Sequence, residues 1–550
     1  MSADADPNPA RKTRKRVLTY STYQIIGEDK QMRKIPVITA AQAAEAVEDN
    51  MTLTSSGFVA SCLPESLNKA LEQRFLDTGE PKNLTIFYAA AQGNRDHSGT
   101  DHFAHEGMVK RVVAGHYNMV PEIGKMILDG KIEGYNFPQG TLSQLMRDIA
   151  AKKPGTITHV GLNTFADPRV EGGKLNDITT EDLVEVIDVL GEEKLIYKAQ
   201  KLDIAFIRGS YADETGNVTV EREVSSTEVT AMAQAVKNCG GKVFVQVEKV
   251  VKAGTLDPKL VKIPGIYVDG IVVAESPEDH EQCRTCAFDG SMSGQFTIPL
   301  ESAKSTALNA KKIIGRRAAL ELTEGSVVNL GIGAPEYIAL VADEEGIGDY
   351  MTMTVEAGAV GGIPMGGSKF GGSVNPDAIL DQNIQFDFYD GGGVDLAFLG
   401  LAEADSCGNI NVSKFGPRLA GCGGFINITQ NAKKVFYCGT FTAGGLKVNC
   451  EDGQLCVTQE GKNIKFRKDV EQITFSGEYA NKVGQPVMYI TERAVFELKP
   501  DGVHLTEVAP GIDIQTQILD LMEFEPIIDG EPKLMDARIF KEEKMNLSAL

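Results

Sequence analysis

No run of 18 uninterrupted apolar residues occurs anywhere in the chain, so no membrane-spanning helix is expected. Basic residues are in deficit. Lys and Arg number 55 against 76 Asp and Glu, and the formal net charge is -21. A surface of that sign repels nucleic acid and anionic lipid, which excludes both as expected partners. The nine cysteines are an odd number and sparse in 550 residues. They read as free thiols of a reduced, cytoplasmic protein. The N-terminus lacks the apolar segment of a secretory signal. A complete dinucleotide fingerprint and a P-loop are missing as well. Cys283-x-x-Cys286 has no second pair to complete a zinc ribbon, and it reads as two ordinary linker cysteines. His97, His102, His105 and His116 fall close together, but the HSGTDHFAH spacing suits a zinc site poorly, so no metal is expected.

What is present is a long globular chain. Apolar residues make up 42% and charged residues 24%, enough for more than one core. From about Ile35, apolar runs alternate with amphipathic segments, the pattern of a parallel sheet covered by helices on both faces. The chain also repeats itself. Residues 203–220 (DIAFIRGSYADETGNVTV) and 395–412 (DLAFLGLAEADSCGNINV) share Asp, Ala, Phe, Ala, Asp, Gly, Asn and Val without gaps, and KVF recurs at 242–244 and 434–436 at the same offset. Each copy predicts a buried strand, an Asp-x-x-Gly-Asn turn and a second strand. The expected class is therefore α/β, with two similar open α/β domains in one chain. The expected boundaries are a disordered extension at 1–31, a first domain at 32–275, a polar linker at 276–299 and a second domain at 300–550. The basic run from Arg11 to Arg16 reads as part of a tail; an organelle address is the alternative.

Three glycine-rich segments of the second half could carry chemistry. In "SVVNLGIGAPEY" a strand runs through Asn329 into Gly331-x-Gly333, and Pro335 opens a helix. Close approach of a ligand and a simple tight turn both fit. "MTMTVEAGAVGG" places Glu356 at the carboxyl end of an alternating strand, where ligands of open α/β sheets bind. A carboxylate there, among small residues, can act as a poorly solvated nucleophile; a solvated strand-end Glu is the alternative. "AGCGGF" could turn the N–H groups of Gly423 and Gly424 toward an oxyanion, or form a hairpin. In the first half, Gln139 follows a proline turn at the start of a helix, placed either to enter a cleft as a donor or to cap the helix.

"TVEAGAVGG", "NLGIGAPEY", "AGCGGFINITQNAKKVFYCGTFTAGGLKV", "HFAHEGMVKRVVAGHY" and "ITERAVFELKPDGVHLTEVAPGID" together closely resemble the family I CoA-transferases, from about Met32 almost to the C-terminus. The resemblance implies that Glu356 is the nucleophile, that Gly423 and Gly424 form the oxyanion segment, and that Asn329, Gly331 and Gly333 contact CoA. It places Gln139 against the acyl pocket, between the two halves. It implies ping-pong transfer of CoA between short acyl-CoA thioesters (acetyl, propionyl, lactoyl) and short carboxylic acids, through a glutamyl-CoA thioester. CoA is then a substrate, with no permanently bound cofactor, and a homo-oligomer, a tetramer, is expected. An acyl-CoA hydrolase, a non-catalytic acyl-CoA-binding protein and a sugar-phosphate isomerase are the rival readings.

Overall fold

A computed structural model describes residues 33–300 and 306–547; the expected extension at 1–31 lies outside the described residues. Short runs rich in β-branched and aromatic residues form the first sheet: β1 (Thr52–Ser55), β2 (Leu84–Tyr88), β3 (Val109–Ala114), β4 (Glu133–Asn136), β5 (Ile204–Arg208), β6 (Lys242–Val247) and β7 (Gly270–Val273). They lie in the order β7-β6-β5-β1-β2-β3-β4, and every neighbouring pair is parallel. The central strand β5 is buried along its whole length, as a sheet covered on both faces requires.

The second sheet repeats this arrangement. Strands β8 (Ser326–Leu330), β9 (Met351–Thr354), β10 (Leu396–Gly400), β11 (Lys434–Cys438) and β12 (Val487–Ile490) lie in the order β12-β11-β10-β8-β9, all parallel, with antiparallel strands added beyond each end. Strand by strand this is the order β7-β6-β5-β1-β2 of the first sheet. The sequence repeat marks its centre, since β5 and β10 are the two repeated strands. The turns that follow are wired alike. Asp213 Oδ1 accepts from the N–H of Thr215 and of Asn217, and Oδ2 accepts from Asn217 Nδ2. Asp405 does the same for Cys407 and Asn409. Each turn needs a left-handed residue, and glycine supplies it at Gly216 (φ 87°) and Gly408 (φ 79°).

Four helices matter for the site: α1 (Glu65–Thr78), α2 (Gln139–Ala150), α3 (Gln382–Asp390) and α4 (Phe425–Asn431). Helix α2 of the first half packs on α3 and α4 of the second. Gly140 permits the contact, because a Cβ there would lie 2.4 Å from Phe386 Cδ1. Gln144 Nε2 donates to Asp387 and Asp390 (3.1 and 2.9 Å), and the Gly140 N–H donates to Asn427 Oδ1 (3.1 Å). Residues 276–299 are not a free tether. Cys283 and Met292 are buried against Cys62 and Val224, and Arg284 N–H donates to Ala60 O. All nine cysteines are free thiols. Among the described residues, no helix is long and apolar enough to cross a membrane.

Candidate active site

Glu356 lies two residues beyond the carboxyl end of β9, in a turn closed by Gly358 N–H to Val355 O (2.9 Å) and Val355 N–H to Ala359 O (2.9 Å). From the first half, the Ser225 hydroxyl donates to Ala357 O and clasps this turn. The side chain of Glu356 faces a cavity of roughly 610 Å³ lined by residues of both halves. Burial there raises its carboxyl above the ordinary range, offset in part by a hydrogen bond from its own N–H.

Gln139, Asn329, Gly331, Gly423 and Gly424 line the same cavity. Gly333 does not; it sits at φ 93° with open space around it, in the turn between β8 and the helix Glu336–Glu345. Asn329 is buried, and its Nδ2 donates to Thr354 O (3.2 Å) and Tyr389 Oη (3.4 Å), which ties β8 to β9 beneath Glu356.

The glycine segment is shaped by the other half of the molecule. Gly423 N–H donates to Gly115 O (2.7 Å), and Gln139 N–H donates to Gly423 O (2.9 Å). Cys422 N–H donates to Asn136 Oδ1 (2.9 Å), and Gly421 N–H to Ser413 O (2.9 Å). This corrects the expected oxyanion pair, because the N–H of Gly423 is already spent on a backbone carbonyl. Among the described residues, Gly424 N–H has no acceptor; it stands at the start of α4, on the cavity wall.

Gln139 is oriented by a chain of buried amides. Its Nε2 donates to Gln382 Oε1 (3.2 Å), and Gln382 Nε2 donates to Glu228 Oε2 (2.8 Å). Gln139 Oε1 consequently lies on the side of Gly423. The sequence reading had offered the side chain as a donor; here one amide hydrogen is committed to Gln382.

The chain is 45% identical over 508 residues to the acetate CoA-transferase YdiF of Escherichia coli (strain K12), a match covering 92% of this chain and 95% of that protein. The chain belongs to the family I coenzyme A transferases. The family model for coenzyme A transferase matches residues 37–274. The caffeate CoA-transferase of Acetobacterium woodii is 45% identical over 510 residues, 92% of this chain and 97% of that one. The crystal structure of the E. coli O157:H7 acyl-CoA transferase YdiF in a thioester complex with CoA superposes with a TM-score of 0.88 at 43% identity, covering 94% of this chain and 98% of that one. As in any coenzyme A transferase, CoA is a substrate here and not a resident prosthetic group.

Three cavity residues of this transferase escaped the sequence reading. His116, first grouped with the other histidines, sits beside Gly421 and Gly423 at the end of β3. Burial, then the charges of Arg95 and Arg418, push its imidazole down to about 4, so it is neutral near pH 7, and its Nδ1 is buried without a partner. Arg95 Nε donates to Asn118 O (2.9 Å) and an Arg418 guanidinium nitrogen to Asn118 Oδ1 (3.0 Å). Among the described residues, the recorded partners of both guanidiniums are these neutral oxygens of Asn118 and no carboxylate. In a chain this acidic, two unpaired guanidiniums on one cavity wall are a local signal, but residues 95 and 418 are too far apart in sequence for the pairing to be read there.

Proposed function

We propose that the chain exchanges coenzyme A between short-chain acyl-CoA thioesters, acetyl-CoA and propionyl-CoA first among them, and free short-chain carboxylates, through a glutamyl-CoA thioester on Glu356. The observation that carries this reading is the juxtaposition in one cavity of a desolvated carboxylate and the unpaired Gly424 N–H. A carboxylate stripped of water is a strong nucleophile, and a fixed N–H stabilises the oxyanion that its attack creates.

The steps balance without ATP. A Glu356 oxygen attacks the acyl carbonyl, and CoA leaves as thiolate, giving a mixed anhydride. The thiolate attacks the Glu356 carbonyl carbon and releases the first acid, leaving the glutamyl-CoA thioester. The incoming carboxylate attacks that thioester, and the same two steps run in reverse. Arg95 and Arg418 supply positive charge to anionic substrates at the cavity wall, where the overall charge of -21 would otherwise repel them. Enclosure of Glu356 keeps water from the anhydride and thioester.

The test is intact-protein mass after mixing with propionyl-CoA and no acceptor, beside Glu356→Ala. The expected result is a gain of one CoA per chain, absent in the variant and discharged by acetate as acetyl-CoA. Free CoA accumulating without an adduct would replace this reading with a hydrolase. Discharge by acetate, propionate, lactate and caffeate in turn ranks the acceptor acids.

A further inference from the structure

The spacing of His97, His102 and His105 argued against a metal, but the fold supplies the ligand that spacing cannot show. Glu72, on α1, receives all three rings. Its Oε1 faces His97 Nε2 (2.8 Å) and His105 Nε2 (2.7 Å), and its Oε2 faces His102 Nδ1 (2.6 Å). The donor atoms of Glu72, His97 and His102 all lie within 4.8 Å of one another. His116 stands apart, in the active-site cavity.

Two of these rings also have a carboxylate on their far side. His97 Nδ1 faces Glu122 Oε1 (2.9 Å), and His102 Nε2 faces Glu65 Oε2 (3.0 Å). A neutral imidazole has one N–H and one lone pair. With carboxylates against both nitrogens, each ring is satisfied by protein alone only as a full imidazolium. Two imidazolium rings with centroids 5.0 Å apart would be balanced by the carboxylates of Glu65, Glu72 and Glu122. A divalent cation can take the place of the protons on the inner nitrogens. It takes the lone pairs that face Glu72, while the far N–H groups donate to Glu122 and Glu65. That is the carboxylate–histidine–metal arrangement that orients metal ligands elsewhere.

We propose that Glu72, His97, His102 and His105 form a structural site for a divalent transition metal, zinc by its imidazole and carboxylate donors, with Glu65 and Glu122 orienting His102 and His97. Ligands at about 2.1 Å from zinc stand about 3.4 Å apart, so the Glu72 contacts must open by about 0.6–0.8 Å, and the His105 ring, which lies outside the cluster of donor atoms that Glu72, His97 and His102 form, must turn in to complete the set. His97 is partly exposed and gives the ion a way in. The site pins the segment 97–105 to α1. The same segment begins just after Arg95, so the metal braces the stretch of chain that carries that guanidinium to the active-site cavity.

The test uses the untagged full-length chain, stripped with a chelator, reloaded with zinc sulfate and dialysed, with metal measured by mass spectrometry. The expected result is about one zinc per chain, lost in His97→Ala and in His105→Ala but retained in the double variant Cys283→Ser/Cys286→Ser. Cobalt in place of zinc should give the visible bands of a tetrahedral site, a readout on the unmutated chain should a variant fold poorly. Zinc should raise the unfolding midpoint of the wild type and not of His97→Ala. Retention below about a tenth of an ion per chain with no shift in midpoint, or metal that follows the cysteines and not the histidines, would overturn the proposal.

Discussion

The side-chain amide of Gln139 donates to Gln382 Oε1 across 3.2 Å, and the direction of that bond decides which end of Gln139 meets the cavity. Gln382 is in turn held by Glu228, a buried residue of the first half that also accepts from Ser143 Oγ (3.2 Å). While Glu228 is ionised it can only accept, so Gln382 offers it an N–H and Gln139 turns its oxygen to the cavity. A protonated Glu228 can donate to Gln382 instead. The polarity then reverses, and Gln139 presents N–H groups to a developing oxyanion.

Burial pushes the Glu228 carboxyl up to about 7. The pH–rate profile of acyl transfer should therefore show an ionisation near 7, with the higher rate on the acid side, that Glu228→Gln removes. Stability follows the same titration. The fold raises this pKa, so its contribution is greatest below the ordinary carboxylate range and is lost as pH rises toward 7. Glu228→Gln should recover on the order of 1–3 kcal/mol at alkaline pH and little in acid, measured by denaturant unfolding at both.

Glu356→Gln should lower kcat by at least about 10³-fold. Desolvation raises the Glu356 carboxyl, so its ionised form destabilises the fold, increasingly as pH rises above the ordinary carboxylate range. The amide should therefore raise the thermal unfolding midpoint at alkaline pH and leave it nearly unchanged in acid. Calorimetry beside steady-state kinetics checks both.

Gly423 and Gly424 should separate sharply. A methyl group at Gly423 meets only ordinary contacts, His116 Cδ2 at 3.5 Å and Gln139 Oε1 at 3.6 Å, although φ 53° adds about 1–2 kcal/mol of backbone strain. Gly423→Ala should keep kcat within about tenfold. At Gly424 a Cβ already lies 3.1 Å from Phe386 Cζ. Gly424→Val should displace the unpaired Gly424 N–H and lower kcat by about 10²–10³-fold. Equal losses in the two variants would contradict the assignment of the donor.

Asn136 is fully buried and makes three bonds at the seam, Nδ2 to Ala114 O (2.9 Å) and Gly115 O (2.7 Å), and Oδ1 from Cys422 N–H (2.9 Å). Asn136→Ala leaves the Cys422 N–H of the second half unpaired, while Ala114 O and Gly115 O keep the N–H groups of Phe137 and Gly423, and should cost about 1–3 kcal/mol of stability. It should also lower kcat, since the oxyanion segment loses its template. Urea unfolding and single-turnover rates measure the two effects.

The parts of this molecule that were legible in sequence are those set by local pattern. The Asp-x-x-Gly-Asn turns at 213–217 and 405–409 announce themselves because the side chain, the left-handed glycine and the partner Asn lie within five residues. Glu356 could be placed at a strand end by alternation and glycine alone. What sequence spacing could not show is how groups far apart along the chain are used. Gly423 looks like a donor until Gly115 O, from the other half, takes its N–H. His102 looks isolated until α1 brings Glu65 and Glu72 against both its nitrogens. His116 was grouped with its sequence neighbours, although it lies just beyond the end of β3 and lines the cavity.

The hydrogen bonds that join Gly115, Asn136 and Gln139 with residues 422–423 also carry an order in time. The donors and acceptors that mould the glycine segment belong to the part of the chain made first. Translation from the N-terminus adds those residues well before Glu356 and the glycine segment that they shape.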